Sequence, residues 1–164
     1  MALFAIADTH LSLGTNKSMT VFSGWDDYVC RLEENWRSIV KPEDTVVIAG
    51  DISWGMNLKQ AKDDFAFLHS LPGQKLILKG NHDYWWSTAA KFYRFCEENQ
   101  FSDLHILNNN FYEYEDWAIC GTRGWFFEEE RSGAHDEKVF RRELCRLEAS
   151  LKAAGDRKKM VFLH

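Results

Sequence analysis

Three short apolar runs in the first half of the chain each stop on a polar turn rich in metal-ligating side chains. Residues 3–7 run into Asp8-Thr9-His10, residues 45–49 into Gly50-Asp51, and residues 75–78, past Lys79, into Gly80-Asn81-His82-Asp83. Runs this short and this β-branched predict strands, and the stretches between them have helical periodicity. Trp25, Tyr28, Val29, Leu32, Trp36 and Ile39 recur at helical spacing and predict a helix with one buried face, closed before Pro42. Residues 58–70 predict a second helix, ended by Leu71-Pro72-Gly73, and residues 87–98 a third. Alternation of this kind belongs to an α/β fold.

The second half changes character. Residues 105–107, 111–114 and 117–120 predict consecutive strands around polar turns. Phe140, Leu144, Leu147 and Leu151 line one face of a last helix, and residues 160–163 form a final strand ending at His164. With no repeat or linker, residues 1–164 are expected to form a single domain. Residues 121–135 are the candidate long functional loop, and the Glu128-Glu129-Glu130 run within it is expected to be a solvated surface.

Composition narrows the function classes. A formal net charge of −5 argues against a general polyanion binder, so nucleic acid is a disfavoured partner. The four cysteines are widely spaced without a Cys-x-x-Cys pair, as expected of free thiols in a reducing compartment; the expected location is the cytoplasm. No basic leader precedes the first strand, and no stretch approaches the roughly 20 apolar residues that cross a bilayer.

In an α/β sheet the carboxyl ends of the strands share one edge, where ligands usually bind. Carboxylate and carbonyl oxygens with imidazole nitrogens on that edge suit Mn²⁺, Fe²⁺ or Zn²⁺. Any one of the three turns alone is an ordinary feature of a soluble protein. Three in succession after three strands are hard to obtain from packing alone.

The ordered set Asp8-Thr9-His10, Gly50-Asp51, Gly80-Asn81-His82-Asp83 and Val161-Phe162-Leu163-His164 resembles the calcineurin-like metallophosphoesterases. That resemblance implies a two-sheet β-sandwich core flanked by helices, a four-layer α/β/β/α fold. It implies that Asp8 and His10 hold one divalent ion, that Asp51 bridges to a second, and that Asn81 and His164 hold the second. His82 is then the catalytic histidine, a proton donor or phosphate contact. Asp83 either orients the His82 ring or is an ordinary turn acid. The implied activity is hydrolysis of phosphate mono- or diesters by water activated between two metal ions. A non-catalytic interaction module on the same fold, or a nuclease of the same chemistry, are the competing expectations.

Two features depart from the family pattern. Its second motif often reads Gly-Asp-x-x-Asp/Asn, where this chain has Trp54 in the last place, and the Gly-His-x-His motif does not follow His164. The second departure leads to the expectation that the domain is truncated, with its last strands missing and turnover poor. Among the other candidates, His69 is expected at a helix end on the surface, His105 packed in a strand, and His135 in the acidic loop. Arg123 is expected to pair with a carboxylate, with contact to a substrate phosphate as the alternative.

Overall fold

A computed structural model describes residues 1–125 and 133–164. The Glu128-Glu129-Glu130 run lies outside the described residues. Strands β1 (Leu3–Ile6), β2 (Thr45–Ala49), β3 (Gln74–Leu78) and β4 (Leu104–Ile106) form a parallel sheet in sequence order. The crossovers between them carry helices α1 (Tyr28–Ile39), α2 (Lys62–Ser70) and α3 (Ala89–Asn99). A second sheet follows, with β5 (Phe111–Tyr114) antiparallel to β6 (Trp117–Thr122), and β6 parallel to β7 (Lys158–Leu163). The β6–β7 crossover holds α4 (Ala134–Ala153).

The layers follow from strand alternation. Val46, Ile48 and Ile77 face α1–α3 and join Phe65, Phe92, Phe95 and Trp85 in the larger core. Val47, Leu76 and Leu78 point the other way, where they meet Leu107 and Ile119 between the sheets. Ala118 and Cys120 take the far face of β6 against Ala154 and Leu151. Buried on both faces, β2 and β3 carry continuous apolar runs, as central parallel strands do. The result is the expected α/β/β/α sandwich. Among the described residues no helix is long and apolar enough to cross a membrane, and all four cysteines are free.

α2 begins at Lys62, four residues later than periodicity suggests; ahead of it residues 57–61 form a hydrogen-bonded turn, in which Asn57 Oδ1 accepts from Gln60 N and Asn57 O from Ala61 N. His135 lies in the first turn of α4, not in a loop. The face of α4 carrying Phe140, Leu144 and Leu147 borders an apolar groove with Leu163, leaving Leu144 exposed. The residues α4 buries include Glu143 and Ser150. The Ser150 hydroxyl donates to Asn110 O and accepts from Gly121 N, and Glu143 accepts from Thr122 Oγ1 and Arg146. Polar groups buried with partners in this way were invisible to an apolar pattern.

Asp44 ties the N-terminus to the β2 entrance. Its carboxylate accepts from Lys41 N (2.8 Å) and Ala2 N (2.6 Å), and these bonds hold its pKa below the ordinary carboxylate range. A depressed folded pKa contributes stability at neutral pH that is lost as pH falls through that pKa. Asp44→Asn is therefore expected to lower the urea midpoint at neutral pH. The gap from the parent should narrow on acidification to about pH 3. A gap independent of pH would refute the assignment.

Candidate metal centre

Parallel pairing brings the ends of β1, β2 and β3 to one edge, and the backbone ladder continues past the strands. Asp8 N donates to Gly50 O (3.0 Å), His10 N to Asp51 O (2.9 Å), Leu11 N to Ile52 O (2.8 Å) and Trp54 N to Leu11 O (2.9 Å). This zip holds Asp8, His10 and Asp51 in left-handed backbone conformations, with φ of 56°, 42° and 51°. Non-glycine residues adopt that region infrequently, Asp and His more readily than most. Such geometry clusters where surrounding bonds over-determine it. Gly80 is required by proximity, since a Cβ there would meet Asp51 Oδ1 at 2.1 Å.

Asp51 is the hub. Its side chain is 4% exposed, and nitrogens surround both oxygens. Oδ1 accepts from His82 N (2.8 Å) and lies 3.3 Å from His164 Nε2. Oδ2 lies 2.8 Å from His82 Nδ1 and 3.9 Å from His10 Nε2. Burial by itself raises the Asp51 pKa, but hydrogen bonds from His164 and His82 outweigh it and hold the carboxyl far below its usual range. Asp8 stands on the same side as His10, with Oδ1 3.5 Å from His10 Nε2, and is half-exposed.

His164 enters from the second sheet, at the end of β7. Its Nδ1 lies 2.8 Å from the Ala49 carbonyl, a bond that fixes the proton on Nδ1 and aims Nε2 at Asn81 Oδ1 (2.8 Å) and Asp51 Oδ1. Nε2 without a proton, the amide oxygen and the carboxylate oxygen are all acceptors, so their convergence requires positive charge among them. In the metal-free chain a proton on His164 supplies it, and the hydrogen bond to Asp51 pushes the imidazole up to about 9 against the cost of burial. A divalent cation meets the same requirement with an oxygen-nitrogen donor set of the right type. Ligand atoms of Asp8, Asp51 and His164 all lie within 4.8 Å of one another. The residues present fit a metal ion.

The structure thus gathers all five expected ligands and His82 at one edge. His82 is 42% exposed, and among the described residues its Nε2 has no partner. Other expectations fall into place. Arg123 faces Glu143, with Nη2 3.7 Å from Oε1. His69 pairs with Asp103 at the end of α2, and His105 in β4 bonds Gln74.

One expectation is corrected. Asp83 does not bond the His82 ring. Its buried carboxylate accepts from Ile52 N (2.8 Å), Ser53 N (3.3 Å), Gly80 N (2.7 Å) and Trp85 Nε1 (2.8 Å). It is neither a ring-orienting acid nor an ordinary turn acid, because it clamps the loop after β2 to the loop after β3. Burial pushes its pKa up, and those donors act against the shift.

Trp54 stood out in the sequence only as a departure from the family motif, without a role. Trp54 stacks on the His10 imidazole (centroids 4.9 Å apart, 19° between planes) and lies 5.4 Å from His82. The available signal was its place in the second motif, where the family often has Asp or Asn.

Comparison with known proteins bears on the fold and the family. No curated protein matches the chain. Among solved structures it is similar to AQ665 from Aquifex aeolicus, a protein of unknown function, at 20% identity and a TM-score of 0.53, covering 92% of this chain and 75% of that one. It is also similar to phosphopantetheinyl hydrolase (PptH) from Mycobacterium tuberculosis, at 14% identity and a TM-score of 0.61, covering 99% of this chain and 67% of that one. Both likenesses concern the fold. The sequence profile of the calcineurin-like phosphoesterases matches residues 1–155 of the 164, and the chain belongs to that family.

Proposed function

We propose that this chain hydrolyses phosphate mono- or diesters at a centre of two divalent cations, with Asp8, His10, Asp51, Asn81 and His164 as ligands. The observation that carries the reading is Asp51, whose two oxygens face different partners, Oδ2 toward His10 and Oδ1 toward His164. One carboxylate so placed can be shared by two ions. Mn, Fe and Zn all suit such a donor set. When bound, the ions supply Lewis-acid polarisation of the phosphoryl oxygens and a lowered pKa for the attacking water.

The protein's own part is positioning and proton transfer. Asp8 and Asp51 provide the negative charge that concentrates cations at the edge. The Ala49 carbonyl holds His164 in the ligating tautomer. His82 keeps Nδ1 on Asp51 and leaves Nε2 free among the described residues, so that a proton on that nitrogen can pass to the departing oxygen.

The test is hydrolysis of phenyl phosphate and diphenyl phosphate by chain loaded in turn with Mn²⁺, Fe²⁺ and Zn²⁺. Turnover that a chelator abolishes and the metal restores is expected, and no turnover with any of them refutes the proposal. His82→Gln is expected to slow an alkyl phosphate about 100-fold and phenyl phosphate much less, because a good leaving group needs little protonation. Equal losses on both would remove the proton-donor role.

A further inference from the structure

Beside the centre lies a cleft of about 410 Å³, walled by the loop from Gly14 to Lys17 together with Trp54 and Gln60. That volume falls in the range of small-molecule sites. Its wall is continuous with the centre through Trp54, whose indole rests on His10 while Lys17 Nζ stands 4.7 Å from the indole centroid. The indole N–H donates to Met19 Sδ at 3.2 Å, which fixes the ring's orientation.

The cleft's chemistry is one-sided. In a chain of net charge −5 no carboxylate lines it among the described residues. Its lining includes the Lys17 ammonium and the side-chain amides of Asn16 and Gln60. Lys17 has no ion pair among the described residues, only the indole face. The loop is nonetheless held firmly, since Leu13 N donates to the wholly buried Asp64 (2.7 Å), and Asp64 is itself bonded by Ser53 from the loop after β2.

We propose that this cleft is the leaving-group subsite, and that it selects phosphoesters whose alcohol portion carries a second phosphate, received by Lys17 and Asn16. The proposal rests on the hydrolase reading above and adds the substrate class. A compact ammonium suits a phosphate as a point charge, and an amide N–H₂ donates to its remaining oxygens. Trp54, in place of the family's usual Asp or Asn, separates the scissile end from this second anion.

The experiment uses the Mn²⁺-loaded chain, a series of alkanediol bisphosphates of graded length, and the matching alkyl monophosphates. At the best length kcat/KM is expected to exceed that of the monophosphate at least about tenfold, mainly through KM. Lys17→Met and Asn16→Leu should each reduce that preference, Lys17→Met nearly abolishing it. Lys152→Met, with the same loss of charge on distant α4, should retain it. The subsite proposal is overturned if no length gains over the monophosphate, or if Lys17→Met and Lys152→Met act alike. Calorimetry with alkane bisphosphonates and monophosphonates separates the two readings. Lys17-dependent bisphosphonate binding without turnover of any ester keeps the subsite and removes the hydrolase. Turnover of monophosphates with no Lys17-dependent preference does the reverse.

Discussion

Asp51→Asn is expected to reduce metal-dependent phosphoester hydrolysis roughly a thousandfold or more, equivalent to about 4 kcal/mol of barrier. The substitution preserves shape while removing a buried carboxylate that faces both His10 and His164. Two cations held close together repel, and a shared anion is what makes their proximity tolerable. An asparagine presents one neutral oxygen and one N–H₂, so one of the two ions faces a donor where it needs an acceptor. Metal content should therefore fall from two ions per chain toward one, and kcat/KM should collapse with it. Both are measurable on the same preparation, by elemental analysis and by phenyl phosphate turnover. An Asp51→Asn chain that keeps two ions and stays within tenfold of parent activity would remove the bridging role. Asp8→Asn serves as the comparison, because its carboxylate is half-exposed and stands 3.5 Å from His10.

How much of this was legible in the sequence depended on direction. The first sheet was readable because its strands are parallel and adjacent in chain order, so each apolar run ends at the same edge. Asp8, His10, Asp51 and Asn81 follow from that alone. His164 was reachable only through the resemblance, since the second sheet must bring it across to Asn81. Trp54 was obscured by its own hydrophobicity, which suggests core packing. What turns it onto His10 is the bridge between Leu11 and Ser53, a contact between separate loops. α4 misled for the opposite reason, because its buried side includes Glu143 and Ser150, satisfied by partners that no periodicity reveals.

Asp83 is the sharpest case, and it carries the largest expected effect on stability. From the sequence its neighbour is His82. In three dimensions its partners Ile52 and Ser53 lie about thirty residues away in sequence, and they are reached because the turn from Gly80 carries the side chain inward. Asp83→Ala leaves three backbone N–H groups and the Trp85 indole N–H without their acceptor at a site 1% exposed. Each buried donor left unpaired costs about 1–3 kcal/mol, and partial relaxation or an entering water recovers some of it. A net loss of about 3–5 kcal/mol is expected, read as a lower urea midpoint with an unchanged m value. Asp83→Asn should fall between parent and alanine, because its amide oxygen satisfies some of the donors while its N–H₂ confronts another. The clamp also joins the loop bearing Asp51 to the loop bearing Asn81, so metal affinity should weaken in the same order as stability. Alanine and parent unfolding at the same urea concentration would refute the clamp. A loss of metal binding with stability intact would make Asp83 a direct participant in the centre instead.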